Sequence, residues 1–198
     1  MSPDSPFLVP SADSDYKAGR ARNSDTTIYY SVPGVMFSSA GGAIAMAGGT
    51  DYYAPFWVAS PIVVDQLAAE VTVAGGTNFR FGLYPADTDL QPAANAAPLA
   101  DSGNLSSATT GVKTYTPATA IFLPRGRYLT VANSDAAISI RGYAMSTGID
   151  TTAGDLKVTR QRVTRAYAAF PTPGTRWDTI SSAATAINHG VWCRVSVP

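Results

Sequence analysis

His189 and Cys193 are the only residues of their kinds in a chain of 198. A thiolate nucleophile needs an imidazole within hydrogen-bond reach and a third group to orient it. Residues four apart on one strand are separated by about 13 Å, so a shared final strand predicts no Cys–His dyad. The expectation is a buried Cys193 beside Val191 and Val195, because free cysteine packs as a small apolar residue, with His189 near a turn. A lone cysteine also permits no internal disulfide and no cysteine-based metal cluster.

The oxygen-bearing candidates are no more specific. Asp87, Asp89 and Asn95 could present oxygens to Ca²⁺, but a full site takes about six to eight ligands and their spacing fits no EF-hand. A solvated turn with aspartate capping backbone amides is the expectation there, and no metal or other cofactor is expected. Glycoside cleavage needs two carboxyl groups about 5 to 9 Å apart. Glu70 is the only glutamate, and the many aspartates single out no pair. The chain is expected not to be an enzyme.

Binding chemistry has more material. Lys157, Arg160, Arg162, Arg165 and Arg176 form the one basic concentration, with Asp150 and Asp155 close by. Arginine suits bidentate recognition of planar anions, so these residues fit an acidic polysaccharide or an acidic patch on a neighbouring subunit. They also fit an ordinary solvated strand and loop. Of the three tryptophans Trp57, Trp177 and Trp192, Trp177 stands out, because it lies in the turn-rich run Pro171 to Asp178 where a buried ring is less expected. Interfaces concentrate aromatic and arginine side chains. The candidate ligand or subunit contacts are therefore Arg160, Arg162, Arg165, Arg176 and Trp177.

The elements that would position these groups follow from composition. Charged residues make up 14% of the chain and the formal net charge is zero, against about 25% charged in an average domain. The acids are almost all aspartate, and the only lysines are Lys17, Lys113 and Lys157. Glutamate and lysine furnish exposed helix faces, whereas aspartate favours turns and caps, so little material exists for surface helices. Gly at 17 and Pro at 14 supply turns. No basic stripe argues for nucleic acid. No run approaches the roughly 18 apolar residues of a membrane span, and Met1 to Pro6 lacks the pattern of a signal peptide. The expectation is a protein made in the cytoplasm without a classical export signal and without membrane insertion.

Residues 1–26 lack periodicity and read as an extended arm, ordered only against a partner. Phe7, Leu8, Val9 and Tyr16 are the arm residues able to bury apolar area in an assembly. From residue 27 onward, β-branched and aromatic runs recur every ten to fifteen positions with turn chemistry between them, which predicts an antiparallel sandwich or barrel. Pro55 places the strand Asp51 to Val58 at an edge or bulge. Alternation puts Leu67, Ala69, Val71 and Val73 on one face, and Phe79, Phe81 and Leu83 on another. Gly75-Gly76-Thr77 between them predicts a hairpin. The expected core is Val71, Val73, Phe79, Phe81, Leu83, Ile138 and Ile140.

Several of these segments, in order, resemble a known module. Tyr52-Tyr53-Ala54-Pro55-Phe56 is followed by Phe79-Arg80-Phe81-Gly82-Leu83-Tyr84 and a polar loop. Then come Leu99-Ala100-Asp101-Ser102-Gly103, Thr109-Thr110-Gly111-Val112-Lys113 and Leu123-Pro124-Arg125-Gly126-Arg127-Tyr128. The order resembles the jelly-roll module of tailed-bacteriophage virion proteins, found in tail fibres, head fibres and capsid decoration proteins, over roughly residues 50–145. The glycines at 103, 111 and 126 fall where turns between strands need φ > 0 or a small residue. The resemblance implies an all-β antiparallel sandwich of jelly-roll type over 27–198 and a homotrimeric virion component. Its partners would be copies of itself, other virion proteins and a host cell-surface polysaccharide. Within that class, a tail-fibre or receptor-binding component is the leading expectation and a capsid decoration protein the alternative.

Overall fold

The computed structural model describes residues 20–22, 28–30, 37–39, 42–58, 61–88, 91–145, 161–172, 181–182 and 187–196. Among them every regular element is a strand, and no helix is long and apolar enough to cross a membrane. The strands are β1 (Arg20–Arg22), β2 (Ile28–Tyr30), β3 (Phe37–Ser39), β4 (Ala43–Met46), β5 (Thr50–Val58), β6 (Ile62–Val73), β7 (Asn78–Pro85), β8 (Ala100–Asp101) and β9 (Leu105–Ser106). They continue with β10 (Gly111–Tyr115), β11 (Ile121–Leu123), β12 (Gly126–Ser134), β13 (Ile138–Met145), β14 (Gln161–Thr164), β15 (Ser181–Ser182), β16 (Ile187–His189) and β17 (Val191–Ser196).

The strands form two antiparallel sheets. In the first, β6 has β10 and β11 on one side and β17 and β13 on the other, and β13 in turn carries β3 and β4. In the second, the order is β15-β14-β5-β12-β7-β8, with β9 also on β7. Consecutive long strands mostly change sheet, so neighbours in space are distant in sequence. Pro55 pairs Leu129 of β12, and the described partners of β5 on its other side end at Tyr53. A residue without an N–H is thereby placed past the end of a ladder.

The sandwich core fills the space between the sheets. Val64, Leu67, Ala69 and Val71 of β6, with Ile138, Ile140, Val191 and Cys193, meet Tyr52, Phe56 and Val58 of β5 and Phe79, Phe81 and Leu83 of β7. Period-two alternation turns Leu67, Ala69 and Val71, and likewise Phe79, Phe81 and Leu83, to one face, and a register shift opposite Arg194 and Val195 brings Val64, three positions before Leu67, to the same side. Val73 departs from expectation. It is 55% exposed, because it ends β6, where the chain leaves the sheet and no opposite layer covers it.

The Gly75-Gly76-Thr77 break is not a hairpin. β6 and β7 belong to different sheets, and the turn carries the chain across the end of the sandwich. Two distant residues staple it. Ser107 exchanges hydrogen bonds with Gly75 and Thr77. Asp135, between β12 and β13, accepts from the Thr77 hydroxyl at 2.6 Å, the Asn78 amide nitrogen at 3.0 Å and the Asn78 side chain at 2.9 Å. Gly76 sits at φ 64°, and a Cβ there would lie 2.2 Å from the Asp135 carboxylate. Periodicity sees the turn; it does not see which sheet receives the next strand.

Arg20–Arg22, inside the expected arm, pairs Ile28–Tyr30, and Tyr30 pairs Cys193. The other arm residues, Phe7, Leu8, Val9 and Tyr16, lie outside the described residues.

Candidate functional site

The outer face of the second sheet should, on alternation, be polar and solvated. Here it is a second core. Asp51 and Tyr53 of β5, Arg80, Gly82 and Tyr84 of β7, and Leu129, Val131 and Asn133 of β12 all point away from the sandwich. The described segment 163–172 covers them. Its anchor is Phe170, buried with Tyr53, Tyr84, Leu129 and Val131. The Phe170 ring meets Tyr84 edge-on at 6.3 Å, and Tyr84 donates to Pro171 O at 2.6 Å. The ring rests over Gly82, where a Cβ would lie 3.1 Å from it and 2.3 Å from Ala100 O. Glycine is required here for close approach.

Two ion pairs clamp this strap. Arg165 donates from Nε to Oδ2 of Asp51 at 2.6 Å and from Nη2 to Oδ1 at 3.0 Å. Asp51 is wholly buried and also accepts from Asn133 Nδ2 and the Tyr53 hydroxyl. Arg80 donates to Asp101 at 2.9 Å and Asn104 at 2.9 Å, while the Phe170 amide nitrogen donates to the same Asp101 carboxylate. Both guanidinium groups lie over the Phe170 ring, Arg80 at 5.9 Å and Arg165 at 5.7 Å, a favourable placement against the ring quadrupole. Burial pushes the Tyr53 and Tyr84 hydroxyls well above their ordinary pKa. Burial opposes the charge on Arg165, but hydrogen bonding and attraction to Asp51 outweigh it and hold Arg165 protonated. These groups are paired with one another, so they fix the strap and are not poised to react.

At the far end of the same face the arrangement changes. Trp57 pairs Arg127 across β5 and β12. Trp57 is 39% exposed, and the Arg127 guanidinium carbon lies 5.7 Å from its ring centroid. Arg127 Nη1 donates to Thr88 O at 2.9 Å. Arg125, two residues before, is exposed.

Arg165 turns inward onto Asp51. Arg162 pairs Tyr52 and Ser181 through its strand, and its side chain lies outside the described residues, as do Arg160, Arg176 and Trp177. Asp87 caps its own loop: Oδ1 accepts from the Gln91 amide nitrogen at 2.9 Å and its own amide nitrogen donates to Gln91 O at 2.8 Å. Asn95 sits at φ 60°, Asp89 lies outside the described residues, and among described residues no acid, histidine or cysteine cluster is fit to hold a metal ion. Cys193 is buried, its thiol pushed up to about 12 by burial. His189 and Cys193 do not share one strand. The chain changes partner from β13 to β6 at Gly190, whose amide nitrogen donates to Arg141 O at 2.8 Å. This lines the fork where β13 parts from β6.

Sequence reasoning missed Asp51, Arg80 and Asp101 as clamps and the Trp57–Arg127 stack. The available signal was a lone charge at an outward position inside an aromatic strand, as at Asp51 and Arg80. Compared with protein-family models, curated proteins and solved structures, the chain matches none.

Proposed function

We propose that the chain is a structural protein of a tailed-bacteriophage virion, a tail-fibre or receptor-binding component. In this reading residues 1–26 dock it to the particle, and a jelly roll over residues 27–198 faces the host surface. It acts by binding and assembly, not by catalysis, as a homotrimer among other virion proteins.

The observation that carries the reading is strand order. Take the strands of residues 43–145 as eight positions along the chain: β4, β5, β6, β7, β8 with β9, β10 with β11, β12, and β13. The first sheet then reads first, eighth, third, sixth, and the second reads second, seventh, fourth, fifth. That interleaving supports reading the sandwich as a double-sheet jelly roll wound from two Greek keys. The segments that resemble the phage module fall on β5, β7, β8, β10 and the entry to β12. Of its three turn glycines, Gly103 and Gly111 have positive φ, at 66° and 111°, while Gly126 opens β12.

Labelling intact particles with antibody against the jelly roll and imaging them tests the reading. Label at the tail, together with lost adsorption to cells when the protein is absent, is the expected result. Label spread over the head, with particles that lose heat resistance on its removal, overturns it in favour of capsid decoration. Deleting residues 1–19 is expected to abolish incorporation while leaving the strands of the sandwich intact.

A further inference from the structure

We propose that Trp57, Arg127 and Arg125 form a subsite for an acidic saccharide, a sugar bearing a carboxylate or a phosphate. The proposal deepens the host-facing reading above and rests on it for the source of the sugar.

Trp57 is one of two exposed aromatic side chains among the described residues. Tyr52, Tyr53, Phe56, Phe79, Phe81, Tyr84, Tyr128 and Phe170 are all buried, whereas Trp57 presents its indole on the outer face of the second sheet. Phe122 is also exposed, at 57%, but carries no guanidinium over its ring among the described contacts. The apolar C–H face of a pyranose fits the electron-rich face of an indole, and a large rigid ring loses little entropy in holding it.

Charge selects the ligand. Arg80, Arg141 and Arg165 each hold a carboxylate: Asp101, Glu70 and Asp51. Arg127 and Arg125 hold none among the described residues. Arg127 is fixed through the Thr88 carbonyl and by the Trp57 ring, so its guanidinium is positioned in advance. Asp87, on the adjoining loop, already accepts the Gln91 amide hydrogen. A guanidinium without an acid partner takes a carboxylate or phosphate through two parallel hydrogen bonds. A guanidinium over the ring and an exposed arginine two residues before it suit a short acidic sugar; a nucleic acid needs a longer basic track along its phosphates.

The test uses the full chain on a glycan array bearing oligogalacturonates, sialylated and phosphorylated oligosaccharides beside their neutral counterparts. Saturable binding confined to acidic members is expected. It should fall at least about tenfold in Trp57→Ala and in Arg125→Ala, with the melting temperature of Arg125→Ala unchanged and Phe122→Ala binding normally. Arg125→Ala reads the site without disturbing the Trp57–Arg127 stack. Equal binding of neutral sugars, acidic binding untouched by these substitutions, or equal binding of an oligonucleotide of matched charge overturns the subsite. A blank array also overturns it. If particles without the protein nevertheless fail to adsorb, the subsite falls and the attachment reading stands.

Discussion

Arg165 and Asp51 stand 114 positions apart and meet as a two-point ion pair, with Asp51 wholly buried and Arg165 partly so. Asp51 is the second residue of β5, and Arg165 follows β14, the strand that flanks it. The pair joins the strap to the sandwich, and its carboxylate is also held by Asn133 and Tyr53. Removing one member leaves a buried charge unmatched. Arg165→Ala is therefore expected to destabilise the protein by about 3 to 5 kcal/mol. Replacing Arg165 and Asp51 together by apolar residues should cost much less than Arg165→Ala alone. Urea unfolding followed by tryptophan fluorescence measures both; a loss in the double variant as large as in Arg165→Ala would show that an unmatched buried charge is not what the single substitution costs.

Phe170 supplies the apolar anchor of the strap beside its ion pairs. Phe170→Ala removes the anchor of the second core, and Gly82→Ala drives a methyl group into that ring and into Ala100 O. Both are expected to raise amide hydrogen exchange at Val163 to Phe170 while leaving Leu67, Phe81 and Ile140 protected, because local opening need not follow global unfolding. Uniform loss of protection across both cores would refute this separation.

Asp135 links pH to stability. Its partial burial raises the pKa, but hydrogen bonds from Thr77 and Asn78 outweigh this and hold it down at about 2, against an ordinary value of 3.8. A depressed folded-state pKa means that the contribution is fully present above the unfolded value. It is lost as pH falls through the folded one. The wild-type protein should thus lose stability between about pH 4 and pH 2, and Asp135→Asn should be less stable at neutral pH with a flatter profile in that window. Thermal melts across pH 2 to 6 decide it; parallel profiles would show that Asp135 does not link pH to stability.

Cys193 should be chemically silent while the protein is folded. It is fully buried beneath the first sheet, and burial lifts its thiol pKa to about 12, so almost no thiolate exists at pH 8. Labelling with a thiol-reactive chromophore is expected to be slow in buffer and rapid in denaturant. Fast labelling of the native protein would contradict this burial.

Composition and alternation determined a great deal by themselves. The scarcity of glutamate and lysine leaves little for helices, and period-two runs at Leu67–Val71 and Phe79–Leu83 fix which side chains enter the sandwich, because a strand can bury only one of its faces against the opposing sheet. Val73 shows the limit: alternation assigns a face, and only the end of the sheet decides whether anything covers it. The glycine turn at 75–76 was visible as a turn, yet its destination depends on which strand later pairs with β6. That place goes to β10, β11, β13 and β17, all distant in sequence. The strap, the Asp51–Arg165 and Arg80–Asp101 clamps and the Trp57–Arg127 stack were decided by tertiary structure alone. Their partners come from separate strands and loops, and no local periodicity carries information about a charge pair closed across 114 residues or a ring laid over a glycine on another strand.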